Sequence, residues 1–119
     1  MAVVVNPTYF QSWLLAFALT QLVEMPVYRA LARVTWARAF SLSLATHPIV
    51  WYVFPLLYER AALGWGATLW LGEAFAYLVE AALLRAYGVS WLRAIAVSCA
   101  ANTASLVVGE VLRICCGIP

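Results

Sequence analysis

Ionisable side chains are scarce in this chain: of 119 residues, seven are arginine, five glutamate and one histidine, with no lysine or aspartate. Three of the glutamates, Glu24, Glu73 and Glu80, lie with His47 inside long apolar runs. At membrane depth such groups are costly and face a helix partner, a cavity or water. Two carboxyls in one low-dielectric interior do not readily both ionise; they share a proton or hold a cation. An imidazole beside them can relay protons or ligate a metal. Glu24, Glu73, Glu80 and His47, with Ser43, Ser98 and Asn102 at matching depths, are therefore the candidate ion or substrate path. Catalysis is the less expected chemistry. His47 with Glu73 is the one plausible acid–base pair, and the chain lacks Gly-x-Ser-x-Gly, His-Glu-x-x-His and Cys-x-x-Cys. No cofactor is implied. As ligands of one ion, Glu24, His47, Glu73 and Glu80 are spread over too great a depth, so no metal site is expected.

Composition decides what scaffold must position these groups. The chain is 66% hydrophobic and 10% charged, with a mean hydropathy of +0.92. A soluble domain is nearer ~45–50% apolar and ~25% charged, and a globule this small would leave much of the excess in water. A net charge of +2 without a basic stripe excludes a nucleic-acid binder, and the low polarity excludes disorder. The apolar runs are continuous, without the period-2 alternation of barrel strands. An all-α integral membrane protein remains, with the lipid bilayer as its first partner.

A membrane-crossing helix needs about 20 mostly apolar residues, and residues 8–31, 36–58, 63–84 and 90–114 qualify. Asn6-Pro7 opens the first, with proline tolerated at a helix start. Glu59-Arg60 and Gly64-Trp65-Gly66 mark the second turn. Tyr87-Gly88-Val89-Ser90 marks the third, with glycine to end one helix and serine to cap the next. Residues 1–119 read as a single membrane domain. Without a basic n-region, the first span is expected to be retained rather than cleaved as a signal peptide.

Arginine placement sets the expected orientation. Arg29, Arg33, Arg38, Arg85 and Arg93 flank turns one and three, against Arg60 and Arg113 at the other face, which puts turns one and three in the cytoplasm and both termini outside. Tyr28, Trp36, Tyr87 and Trp91 would then anchor the inner interface, and Tyr9, Trp13, Tyr58 and Trp65 the outer one. Abundant alanine and arginine without lysine or aspartate point to a GC-rich bacterial genome, and so to a bacterial cytoplasmic (inner) membrane. Cys99 reads as a small apolar residue. Cys115 and Cys116, near the outer end, leave an intermolecular disulfide open.

The chain also repeats itself. Leu22-Val23-Glu24 recurs as Leu78-Val79-Glu80, Arg29-Ala30 as Arg85-Ala86, and Val34-Thr35-Trp36-x-Arg38-Ala39 as Val89-Ser90-Trp91-x-Arg93-Ala94. Ser43 then matches Ser98 and His47 falls opposite Asn102; 11 of 25 aligned pairs are identical. The unit is a helical hairpin, about residues 8–58 and 63–114. Two-span units keep one orientation, so the expected fold is a four-helix membrane bundle of two tandem hairpins about a pseudo-twofold axis along the membrane normal.

Counting ~1.5 Å per residue from the turns places Glu24 and Glu80 at one level with Ser43 and Ser98, each hairpin supplying a carboxyl and a hydroxyl. A second layer, ~10 Å away on the same count, holds His47, Asn102, Glu73 and Thr20. Ser98, Asn102, Ser105 and Gly109 form a small polar stripe suited to close helix packing. Pro26, Pro48 and Pro55 free the carbonyls of Leu22, Leu44 and Trp51, so the first hairpin alone is expected to bend. These features favour a small cation- or proton-coupled transporter or channel. The alternatives are a structural or accessory subunit of a larger membrane complex, or a homo-oligomer in which the buried polar groups only bind helices together, and an intramembrane enzyme using His47 and Glu73.

Overall fold

The computed structural model describes residues 7–61 and 63–117; Asn6 lies outside the described residues. All regular structure among them is helical: α1 (Pro7–Val27), prolonged by a π-helical turn at Tyr28–Ala32, then α2 (Trp36–Tyr52), α3 (Phe54–Arg60), α4 (Trp65–Ala86) and α5 (Trp91–Cys116). With α1 extended by its π turn and α2 continued by α3, four stretches of 22–26 residues are long and apolar enough to cross a membrane. Leu22, Trp70, Leu78 and Leu92 are 71–83% exposed on the outside of the bundle. Water would penalise that surface and hydrocarbon would not, so the chain is a membrane protein by composition and by surface.

The helix ends follow local chemistry. Pro7 opens α1, and the Thr35 hydroxyl caps α2 by accepting from the Arg38 amide at 3.2 Å. Ser90 occupies the equivalent position before α5 but makes no side-chain cap bond. The two sharp turns each carry a left-handed residue, Arg33 (φ 59°) and Gly88 (φ 97°).

All the helical irregularities lie before residue 61, as the prolines imply. Pro26 precedes the π turn by two residues, Pro48 sits inside α2 without breaking it, and Pro55 lies in the first turn of α3 after the break at Val53. The Trp51 carbonyl that Pro55 cannot bond accepts the Tyr9 hydroxyl at 2.5 Å. Tyr9 is thus tied to α2, and Trp13 likewise packs on Tyr52 and His47.

α1 packs against α2 and α5, and α4 against α2 and α5. The main apolar cluster lies at the end bearing the first and third turns, where Tyr28, Leu42, Leu84, Val97 and Ala101 are buried together. Tyr28, expected at the membrane interface, is instead fully buried. It leads the π turn, four residues after Glu24, and so shares that residue's inward face. Cys99, Cys115 and Cys116 are free and exposed.

The tightest backbone approach among the glycines is at Gly72, where a Cβ would meet Val50 Cγ1 at 3.3 Å. Gly109, by contrast, has open space around it, so the α5 stripe is not a close-packing seam at that position. Gly72→Leu should lower stability in detergent by about 1–3 kcal/mol through overpacking. Gly66→Ala, whose methyl meets nothing within 4 Å, should shift it by less than ~1 kcal/mol. Thermal unfolding of the two variants makes the comparison, and equal midpoints would contradict the α2–α4 contact.

Candidate functional site

Glu24 on α1 and Glu80 on α4 are both buried in the interior, 2% and 1% exposed, and line the same cavity. Every carboxyl oxygen has a hydroxyl donor. Ser43 on α2 donates to Glu24 Oε2, and Ser105 on α5 to Glu24 Oε1 at 2.5 Å. Tyr28 donates to Glu80 Oε1 at 2.6 Å, and Thr46 on α2 to Glu80 Oε2 at 2.8 Å. Asn102 Nδ2 donates to the Tyr28 oxygen at 3.3 Å and to the Ser98 carbonyl at 3.0 Å, so it meets Glu80 through Tyr28. No arginine is bonded to either carboxyl. Uncompensated charge in such an interior is expensive, and here hydroxyl donors surround both carboxyls.

The expected Glu24–Ser43 pair therefore forms, but Glu80 does not pair with Ser98, whose hydroxyl donates to the Tyr77 carbonyl at 2.7 Å. The partners cross between hairpins instead. Helical side chains lean toward their own N-terminus. Those of α1 and α4 therefore lean away from the first and third turns, while those of α2 and α5 lean toward them. Counting Cα positions ignores both displacements, and the groups that meet the carboxyls lie further along α2 and α5, at Thr46 and Ser105. Asn102 meets Tyr28 rather than His47.

His47 stands apart. Its Nε2 lies 3.3 Å from the Thr20 hydroxyl, and its ring is boxed by Trp13, Phe17 and Trp51 at centroid distances of 5.5–6.4 Å. Nδ1 is buried and unpartnered. No hydrogen bond or ion pair joins His47 to Glu73, so the catalytic pair considered from sequence is not assembled. Nor do Glu24, His47, Glu73 and Glu80 converge as ligands of one ion; among the described residues no group of three or more His, Cys, Asp or Glu could hold a metal.

What unites these residues is a cavity of about 230 Å³, to which all four long helices contribute. Glu24, Glu80, Ser43, Thr46, Asn102 and Ser105 form its base, and Glu73, His47 and Trp51 its middle. It reaches Glu110 and Arg113 near the end of α5, an exposed ion pair three residues apart. None of the residues of the apolar cluster lines it. The carboxyl pair thus has a cavity on one side and packed apolar side chains on the other.

Sequence reasoning missed Tyr28 and Thr46 and placed Ser105 only on a stripe. One signal was available: Tyr28 follows Glu24 by four residues on one helical face. Thr46 aligns with Ala101 in the repeat, and matching the two hairpins hid it. Comparison with protein-family models, with characterised proteins and with solved structures returns no match.

Tyr28→Phe and Thr46→Val each remove one donor from Glu80 while keeping shape, and each should destabilise the bundle by about 1–3 kcal/mol. The unfolding midpoint in detergent reads this out; wild-type midpoints in both would mean that the hydroxyls do not hold the carboxyls.

Proposed function

We propose that this chain is a small cation- or proton-coupled transporter of a bacterial cytoplasmic membrane, with Glu24 and Glu80 as the groups that take up and release the ion. The observation that carries this reading is that the carboxyl pair lines a cavity shared with Glu73 and His47, while the Tyr28–Leu42–Leu84 packing lies on its other side. A cavity on one side only suits alternating exposure better than an open pore. Glu73 and His47 along the wall provide intermediate polar positions. The irregular segment around Tyr28 is where that packing would part: Pro26, the π turn and left-handed Arg33 lie within one stretch of chain, and Tyr28 itself bonds Glu80.

In this proposal turns one and three face the cytoplasm, on the strength of five arginines at that end, and both termini face outward. The tandem-hairpin reading is supported by the aligned Arg33 and Gly88, both left-handed, and by α1 and α4 each packing between α2 and α5.

A second reading has its own support. All four carboxyl oxygens already accept hydroxyls, which is what a purely structural polar clamp in an accessory subunit would need. Flux separates the two. Purified protein in liposomes should dissipate an imposed proton, sodium or potassium gradient faster than empty liposomes. Glu24→Gln with Glu80→Gln should return the rate to that of empty liposomes while the protein still elutes as a folded species. A wild-type protein that moves nothing under any of these gradients, and co-purifies with a stoichiometric partner, is instead the accessory subunit.

A further inference from the structure

The opposite end of the molecule carries a second cleft, independent of the carboxyl cavity. It lies between the first and third turns, has a volume of about 450 Å³, and is lined by Arg33, Arg38 and Arg93 with Thr35, Tyr87 and Ser90 among its other residues. None of the five glutamates lines it. Three guanidinium groups around one cleft without a carboxylate form an unbalanced positive site.

Two of the three arginines are held in place. Arg38 stacks on the Tyr87 ring with its guanidinium carbon 4.9 Å from the centroid, and Tyr87 in turn shares a 2.7 Å hydroxyl contact with Ser41. Arg93 donates from Nε to the Leu31 carbonyl at 2.8 Å, which joins the two turns and leaves its paired Nη groups for another acceptor. The amide-rich first turns of α2 and α5 begin at the same cleft, behind Thr35 and Ser90, and add positive potential to that of the side chains. Arg33 adopts φ 59°, ψ 31°, a conformation that burdens an L side chain and not a glycine. The matching position in the other turn is Gly88, at φ 97°. A guanidinium therefore stands where the backbone favours glycine.

We propose that this cleft binds a phosphate group, as a phosphodiester of an anionic lipid headgroup or as a soluble phosphate. Guanidinium forks match phosphate oxygens in pairs, the cleft lies at a helix-end level where headgroups reside, and its polar threonine and serine complete a donor set without any acceptor carboxylate. The site would clamp the two turns together across the base of the bundle through Arg33 and Arg38 on one side and Arg93 on the other.

The test uses the whole protein in detergent. Native mass spectrometry with dioleoyl-phosphatidylglycerol and dioleoyl-phosphatidylcholine, and thermal shift with inorganic pyrophosphate, distinguish the two sources. Retention of one phosphatidylglycerol per chain in preference to phosphatidylcholine assigns the cleft to lipid; stabilisation by pyrophosphate alone assigns it to a soluble phosphate. In either case Arg33→Gly with Arg38→Gln should weaken binding by about tenfold or more, through loss of charge-assisted hydrogen bonds. Arg33→Gly alone relieves the backbone, so it should weaken binding while leaving the unfolding midpoint unchanged or higher, which separates site from fold. Binding of neither probe, equal retention of both lipids, or binding unaltered in these variants overturns the proposal.

Discussion

Two carboxyl groups buried between helices constrain everything around them. In hydrocarbon there is no hydrophobic force to drive one apolar helix onto another, since lipid tails are as apolar as leucine. Specificity must then come from packing and from polar groups that have no other partner. Glu24 and Glu80 supply the demand, and hydroxyls from the α1 extension, α2 and α5 meet it. Ser43 and Thr46 lie on one helix and serve different carboxyls. A slide of α2 along the bundle would therefore break bonds to α1 and α4 together. The network fixes depth as well as contact, which apolar side chains alone do poorly.

That constraint divides the molecule into two unlike ends. Below the carboxyls, toward the first and third turns, Tyr28, Leu42 and Leu84 are wholly buried in one packed cluster. Above them the helices enclose a cavity, and the irregular geometry of the first hairpin contributes to its wall. α2 is interrupted at Val53, and the released Trp51 carbonyl is taken by Tyr9 across to α1. The proline thus changes a helix-internal bond into an interhelical one. The second hairpin has no such break, and its two helices run uninterrupted through the same depth.

How much of this was legible in sequence follows from which physical signal each feature leaves. Four spans were legible because hydrophobic length is a property of contiguous residues; their ends fall within about two residues of the expected ones, the usual slack at helix termini. The carboxyl pair was legible because ionisable residues in apolar runs are rare and its members recur in register. The partners were not, for two reasons. A repeat alignment weights residues that match, and Thr46 and Tyr28 are the ones that differ between hairpins. Depth counted along Cα positions also omits the lean of helical side chains, which acts in opposite directions on antiparallel neighbours and shifts the partners of the carboxyls to Thr46 and Ser105. His47 was legible as polar and intramembrane, but its aromatic surroundings come from Trp13 and Phe17 on α1 and Trp51 on α2, and that convergence is tertiary.

Whether such a network is a clamp or a working site turns on what surrounds it rather than on its bonds. Full hydroxyl satisfaction is common to both, because a half-satisfied buried carboxyl would destabilise either. A clamp gains nothing from an adjoining void, whose lining forfeits contacts on one side. Here the void adjoins only one side of the pair, is shared by Glu73 and His47, and continues to the charged end of α5 at Glu110 and Arg113. The packing beneath shows that this sequence can fill space densely where it is required to. That it does not do so above Glu24 and Glu80 is the asymmetry that favours an ion-handling site over a structural one.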